Sequence, residues 1–318
     1  MLDVRRLRLL RDLAHLGTIA AVAQSHAYTA SAVSQQLAAL QREAGVPLLE
    51  HIGRGVTLTP AGTALVQHTE TVLAALEAAT ASLAAARAGL SGTVRIGAFP
   101  SAVRTLLPPA LVALGRDHPA LDLRVIELDP VAMPGALRDL SLDVALLHDY
   151  NITPAGPDPT LDSVPLLDEA VFLAVPEDGT FLAVPEDGTA GATGGPLAGA
   201  RHRDWIVGSP GTLCHTLAIR ICETAGFAPR VRHHADDFVA VLALVAAGQG
   251  VALVPQLGAE QPPPGVRLVP LPVFRRTRLA YRGGAGTHPA IAACVTALRL
   301  STAGYLRRRD ESVRDGGS

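Results

Sequence analysis

From Thr63 to Arg87 the chain runs without a glycine or proline, and its apolar residues recur at heptad spacing. Leu65, Val72, Ala79 and Ala86 form one series; Leu76, Leu83 and Leu90 form the other, with the polar Thr69 at its start. Thr59 is a natural N-cap and Pro60 suits the first helical position, so a long helix is expected from Pro60 to near Gly89. Its apolar seam calls for a partner helix, which points to dimerisation; a core helix of a monomer is the alternative. Upstream, short helical segments are punctuated by Gly17, Gly45, Gly53 and Gly55. From Thr93 onward, strand and helix patterns alternate. "TVRIGAF", "LDLRVIEL" and "DVALLH" read as strands, with helices expected over Ser101–Arg116 and 132–140. "DWIVGS", a helix Thr212–Ala225, a helix opened by Asp236 or Asp237 and a strand Val251–Val254 follow. The strand "RRTRLAY" and a last helix near Pro289 complete the series. This alternation predicts a mostly parallel sheet covered by helices, and a disordered tail after residue 302.

The densest pattern lies between Gly17 and Gly62. Ala20, Ala21 and Ala23 make a thin helix that another can cross closely. A second helix is expected over Ala30–Ala44, closed by Gly45 and blocked by Pro47. Val33, Leu37 and Leu40 fall on its inner side; Ser31, Ser34 and Gln35 fall on its outer side near the N-terminus. Small polar groups at the N-terminal end of a helix suit a DNA groove, where they reach phosphates and base edges. "EHIGRGVTLT" reads as a hairpin whose tip presents Arg54, either to a phosphate or narrow minor groove or simply to solvent.

Composition changes this picture little. Net charge is −2, and all 27 basic residues are arginine. Residues 1–62 carry six arginines against four acids, a mild local excess in the direction DNA requires. The N-terminus lacks an apolar signal core, and the longest apolar run, Phe238–Ala247, is too short to span a bilayer. Three cysteines without metal-ligand spacing suit a reducing compartment, so a cytoplasmic location is expected. No Gly-x-Ser-x-Gly, paired carboxylates or metal spacing appears, and no catalytic residue, cofactor or metal is expected.

The run "ASAVSQQLAALQREAGVPLLEHIGRGVTLTPAG" resembles the winged helix-turn-helix of LysR-type transcriptional regulators. The similarity continues through "VRIGAFPSAVRTLLPPALVALGRDHPALDLRV", "LVAAGQGVALVP" and "THPAIAACVTALR". The resemblance implies a DNA-binding domain over 1–58, a linker and dimerisation helix over 59–89, and an effector-binding domain over 90–302. The last would have a type 2 periplasmic-binding-protein-like fold, with subdomain I at 93–166 and 272–300 and subdomain II at 167–271. It implies double-stranded promoter DNA, a small-molecule inducer (an organic acid among the candidates), a homodimer or homotetramer and RNA polymerase as partners, with no membrane. Ser31, Ser34 and Gln35 match the positions where the recognition helix meets DNA, with Thr29 at its approach and Arg54 on the wing. His26 stands where the family often has an apolar residue.

For the effector half, the resemblance assigns Ser101 to the polar position that commonly contacts inducer. Ser209, Gly211 and Thr212 form a similar turn before a helix, and His148 lies at a strand end that can face the same cleft. Ordinary capping by Ser101 and Thr212, and an edge position for His148, remain open alternatives. Cys214 and Cys222 lie near the place where peroxide-sensing members carry their reactive pair, but eight helical residues hold two sulfurs about 12 Å apart, which favours structural thiols. A solute-binding protein without DNA activity is the remaining alternative. Finally, "FLAVPEDGT" occurs twice in succession, over Phe172–Thr180 and Phe181–Thr189. A tandem duplication is the simplest account: the first copy is expected in a strand at Val171–Val175 and the second looped out.

Overall fold

The computed structural model describes residues 1–53, 55–85, 89–177 and 197–315. Arg54, the heptad position Ala86, the second FLAVPEDGT copy and residues 316–318 lie outside the described residues.

The N-terminal unit comprises α1 (Val4–Leu16), α2 (Ile19–Ser25), α3 (Ala30–Ala44) and the antiparallel hairpin β1 (Leu49–Ile52) and β2 (Gly55–Leu58). Each helix starts on a side-chain cap: Asp3, Thr18 and Thr29 accept from backbone amides of the first turn. Gly17 and Gly45 close α1 and α3 in the left-handed conformation that only glycine adopts without strain. Leu7, Leu10, Val22, Val33, Leu37, Leu40 and Leu48 fill the core between them.

The linker helix α4 (Pro60–Ala85) is capped by Thr59, whose hydroxyl accepts from Gly62 N at 3.0 Å. Its two sides have different fates. Thr69, Leu73 and Ala81 are buried within the subunit, whereas Val72, Leu76 and Leu83 of the heptad seam are exposed, Leu83 at 70%. Thr69, the polar exception of the seam, is 1% exposed and donates to Leu65 O at 2.8 Å, so its hydroxyl is satisfied where it is buried.

The C-terminal half is two α/β subdomains built on a sheet of order β4-β3-β5-β10-β6-β9. These strands are β3 (Gly92–Ala98), β4 (Leu121–Glu127), β5 (Val144–Tyr150), β6 (Leu161–Pro176), β9 (Ala252–Pro255) and β10 (Val266–Arg282). β7 (Asp204–Val207) and β8 (Arg230–His234) pair in parallel, and a Trp205–Val251 bridge joins them to the edge at β9. In subdomain I, α5 (Pro100–Thr105), α6 (Leu107–Asp117) and α10 (Pro289–Asp315) cover one sheet face, and α7 (Met133–Arg138) covers the other. In subdomain II, α8 (Leu213–Thr224) and α9 (Phe238–Ala246) take opposite faces. The first FLAV run shows why it is apolar throughout. Leu173 and Val175 of β6 face the α8 side, Phe172 and Ala174 the α9 side, so both faces are covered.

Four expectations need correction. The sheet is mixed rather than mostly parallel, because β6 and β10 run antiparallel to each other for most of their length as paired crossovers between the subdomains. The single helix expected over Ser101–Arg116 is divided at Leu106, where Pro108 and Pro109 remove amide donors and force a new start. The helix expected over 132–140 is confined to Met133–Arg138. The tail expected to be disordered continues α10 to Asp315. The stretch Pro289–Arg309 of α10 is long and apolar enough to cross a membrane, yet Ile291, Cys294, Leu298 and Tyr305 pack into the core of subdomain I.

Candidate functional site

Two regions gather the residues that carry chemistry. On α3, Thr29 caps the helix by accepting from Ala32 N at 3.1 Å, and Ser31, Ser34 and Gln35 are exposed on the outer side of its N-terminal half. Val33 and Leu37 anchor the opposite side in the core. The next residue outward, Gln36, is held by Arg6 Nε at 2.9 Å, and Arg6 also pairs with Glu43. The buried face of Val33, Leu37 and Leu40 sets the rotation of α3 and so turns Ser34 and Gln35 outward, with the Arg6 contacts as a surface brace.

Sequence reasoning missed Tyr28. Its ring is 54% exposed immediately before the cap and stacks at 6.0 Å on His26. His26 in turn is fixed by Asp12, Nε2 to Oδ2 at 2.6 Å, and Asp12 is bound by the buried Arg11. The histidine in an often apolar position therefore replaces a packing contact with a hydrogen-bonded one. Ala27, at φ 52°, provides the reversal that presents Tyr28. An exposed aromatic next to a capping threonine was the available signal.

The second region lies where the subdomains meet, on the inward face of the crossover strands. Ser101 is 1% exposed and does not cap α5; Phe99 is the first residue outside the helix and offers no side-chain bond. Instead the Ser101 hydroxyl accepts from Arg275 Nη2 at 3.1 Å. Arg275 Nε donates to Glu169 at 2.7 Å, and the other Glu169 oxygen accepts from Leu257 N at 2.6 Å. The guanidinium also lies 4.6 Å from the Phe99 ring centre. Arg275 and Glu169, 1% and 2% exposed, were invisible to sequence reasoning because 106 residues separate them.

His148 is buried rather than at an edge. Its ring meets Phe99 at 4.8 Å and Tyr150 at 5.4 Å, both edge-on. Burial, with a smaller contribution from Arg275, holds its pKa well below 6.5, so the ring is neutral. His148 and Thr277 are direct cross-strand partners on β5 and β10, as are Tyr150 and Arg275, so all four share one sheet face. Among the described residues, His148 Nδ1 and Thr277 Oγ1 have no hydrogen-bond partner. The Tyr150 hydroxyl reaches Cys214 Sγ at 3.6 Å, which links this face to α8.

The structure places Ser209, Gly211 and Thr212 together in the turn before α8. Thr212 caps α8 and donates to Ser209 O at 2.8 Å, and Gly211 supplies φ 92°. Ser209 is engaged by Asp236, which accepts from its amide at 2.7 Å and its hydroxyl at 2.6 Å. Cys214 and Cys222 both lie within the continuous helix α8, a separation of about 12 Å by helical rise. A disulfide needs Cα atoms within about 7 Å, so α8 would have to unwind to form one. Burial raises all three thiol pKa values, to about 12 for Cys222 and Cys294.

The architecture is a helix-turn-helix with a hairpin wing on a long helix, followed by two subdomains joined by paired crossover strands. Residues 4–63 match the family described as bacterial regulatory helix-turn-helix protein, lysR family, and residues 87–302 match the LysR substrate binding domain. The chain belongs to the LysR family of transcriptional regulators. It is 31% identical over 267 residues to a probable hydrogen peroxide-inducible genes activator of Streptomyces viridosporus, covering 81% of each chain. It is 28% identical over 259 residues to the transcriptional dual regulator GltC of Bacillus subtilis, covering 80% of this chain and 81% of that one. Among solved structures, a hydrogen-peroxide-bound OxyR mutant of Corynebacterium glutamicum has the same fold. Its TM-score is 0.58 at 23% identity, with 98% and 96% of the two chains covered.

Proposed function

We propose that this regulator reads DNA with Thr29, Ser31, Ser34 and Gln35, joined by Tyr28, and with Arg54 on the wing. Exposure of the first five on one end of α3 supports this reading. The division that follows is DNA binding over 1–58, linker over 59–89 and effector binding over 90–302, in a cytoplasmic protein. The exposed seam Val72, Leu76 and Leu83 supports assembly of two or four copies through α4. Contact with RNA polymerase belongs to the same family reading, without a residue assigned to it.

The inducer pocket is proposed at Ser101, His148 and Thr277, with the turn Ser209–Gly211–Thr212 as the opposite wall. The observation that carries it is the pair of buried polar atoms, His148 Nδ1 and Thr277 Oγ1, beside Arg275 and Ser101. Glu169 neutralises Arg275, and His148 is uncharged, so the floor carries no net charge. That favours a small neutral ligand with hydrogen-bonding groups over an organic acid. A thermal-shift screen of small alcohols, amides, phenols and carboxylates tests this. Neutral compounds should stabilise the wild type but not His148→Leu, whereas stabilisation confined to carboxylates would refute it.

A thiol switch is the second reading, favoured by the peroxide-inducible activators among the relatives. The placement of Cys214 and Cys222 on one helix and the raised thiol pKa values argue against it.

A further inference from the structure

The strand β10 ends on the linker helix. Arg275 stands on its inward face in the proposed pocket, and Arg282 is its last residue. The Arg282 Nε donates to Glu77 Oε1 of α4 at 2.9 Å. Its Nη1 donates to Leu142 O at 2.9 Å and Leu137 O at 3.3 Å, so one guanidinium fastens the linker to subdomain I. Of the two glycines that follow, Gly284 approaches α4 more closely than a side chain would allow. A Cβ on Gly284, whose φ is +82°, would lie 2.2 Å from Ala74 O. This turn is itself tied to β6: Gly283 N donates to Thr160 O at 2.9 Å and Gly284 N to Asp162 at 2.9 Å. One turn earlier on α4, Glu70 occupies a small cavity bordered by Arg8 and Arg11 of α1 and by Arg138, Thr160, Arg282 and Gly283 of the effector half. The linker therefore touches both ends of the molecule at adjacent turns.

We infer that Arg282 and Glu77 are positioning residues that make β10 a rigid connection between the inducer pocket and the linker helix of the same subunit. Seven residues of strand separate Arg275 from Arg282, a span of about 23 Å; β10 keeps unbroken register with β5 from Arg275 to Ala280, while its register with β6 shifts once, between Thr277 and Arg278. A shift of Arg275 when its Ser101 contact is exchanged for a ligand is delivered along β10 to Arg282 and through it to Glu77 of α4. From Glu77 the helix runs directly to the hairpin and α1. This deepens the proposed function and rests on the pocket reading for its trigger, though not for its mechanical part.

The test uses the full-length chain and hydrogen exchange, with Ser101→Ala as the perturbation, so no inducer is needed. Removing one of the two side-chain acceptors of Arg275 should raise exchange of α4 amides around Ala74–Glu77 about fivefold and leave α6 amides unchanged. In Glu77→Gln or Arg282→Lys backgrounds the same substitution should no longer reach α4. Gly284→Ala, a wedge at the contact, should raise α4 exchange by itself; if that variant does not fold, the two conservative variants decide. Unchanged α4 exchange in Ser101→Ala, or an equal response with and without Glu77, overturns the inference. Loss of ligand binding in the thermal-shift screen, with the exchange response intact, would refute the pocket and leave the connection standing.

Discussion

Replacing Glu169 by Gln strikes an ion pair whose two side chains are 1% exposed or less. Glu169 meets two donors with two oxygens, Arg275 Nε at 2.7 Å and Leu257 N at 2.6 Å. Glutamine has one acceptor oxygen, and its amide would face whichever donor it failed to serve. The Arg275 charge, 1% exposed, would lose its counter-ion. Removing one partner of such a pair costs about 3–5 kcal/mol. With a urea slope of about 2–3 kcal/mol/M, the unfolding midpoint falls by about 1–2.5 M. The assay is fluorescence of Trp205, the single tryptophan, which is fully buried in subdomain II next to the crossovers. A double Glu169→Met, Arg275→Met variant removes both charges and should recover much of the loss. It should not recover all, because Leu257 N stays unpaired at a cost of about 1–3 kcal/mol. A midpoint moved by less than about 0.3 M in Glu169→Gln would refute the account of this pair.

Three further outcomes follow. His148 is buried neutral with a depressed pKa, so the unfolded chain binds its proton first. Stability should therefore fall as pH drops below 6.5, by up to about 1.4 kcal/mol per unit relative to His148→Leu, until the depressed pKa is reached; parallel urea midpoints of the two proteins between pH 7.5 and 5.5 would contradict this. Leu83→Glu on the exposed seam should convert assembled protein to monomer in light scattering at micromolar concentration, while circular dichroism shows the helix content of wild type. The thiols of Cys222 and Cys294, with pKa values pushed up to about 12, should stay unreactive toward a disulfide reagent at pH 8 until urea unfolds the chain, and rapid titration in the native state would show the burial to be wrong.

Much of this architecture is legible in the sequence because it depends on local signals. Thr29, Gly45 and the Val33–Leu37–Leu40 stripe define α3, and Pro60 starts α4. The crossover strands are less legible, since Pro165 in β6 and Pro270 and Pro272 in β10 interrupt the strand pattern. In the structure β10 absorbs its prolines at a register shift between Pro270 and Phe274. The proposed pocket was half legible. Ser101 near the start of α5 and His148 after the apolar run of β5 attract notice as polar residues, but the roles proposed for them depend on Arg275, Glu169 and Thr277, which only the folded sheet brings alongside. What holds His26 was not legible because its partner Asp12 lies fourteen residues away on another helix.

The central claim is that the exposed N-terminal end of α3 selects DNA. Binding full-length protein to sheared genomic DNA of its source and sequencing the retained fragments tests it directly. Wild type should enrich a small set of sites. A Ser34→Ala, Gln35→Ala variant, whose side chains leave the core untouched, should lose that enrichment while keeping weak, salt-sensitive retention of bulk DNA. Identical enriched sites for the two proteins would contradict the claim.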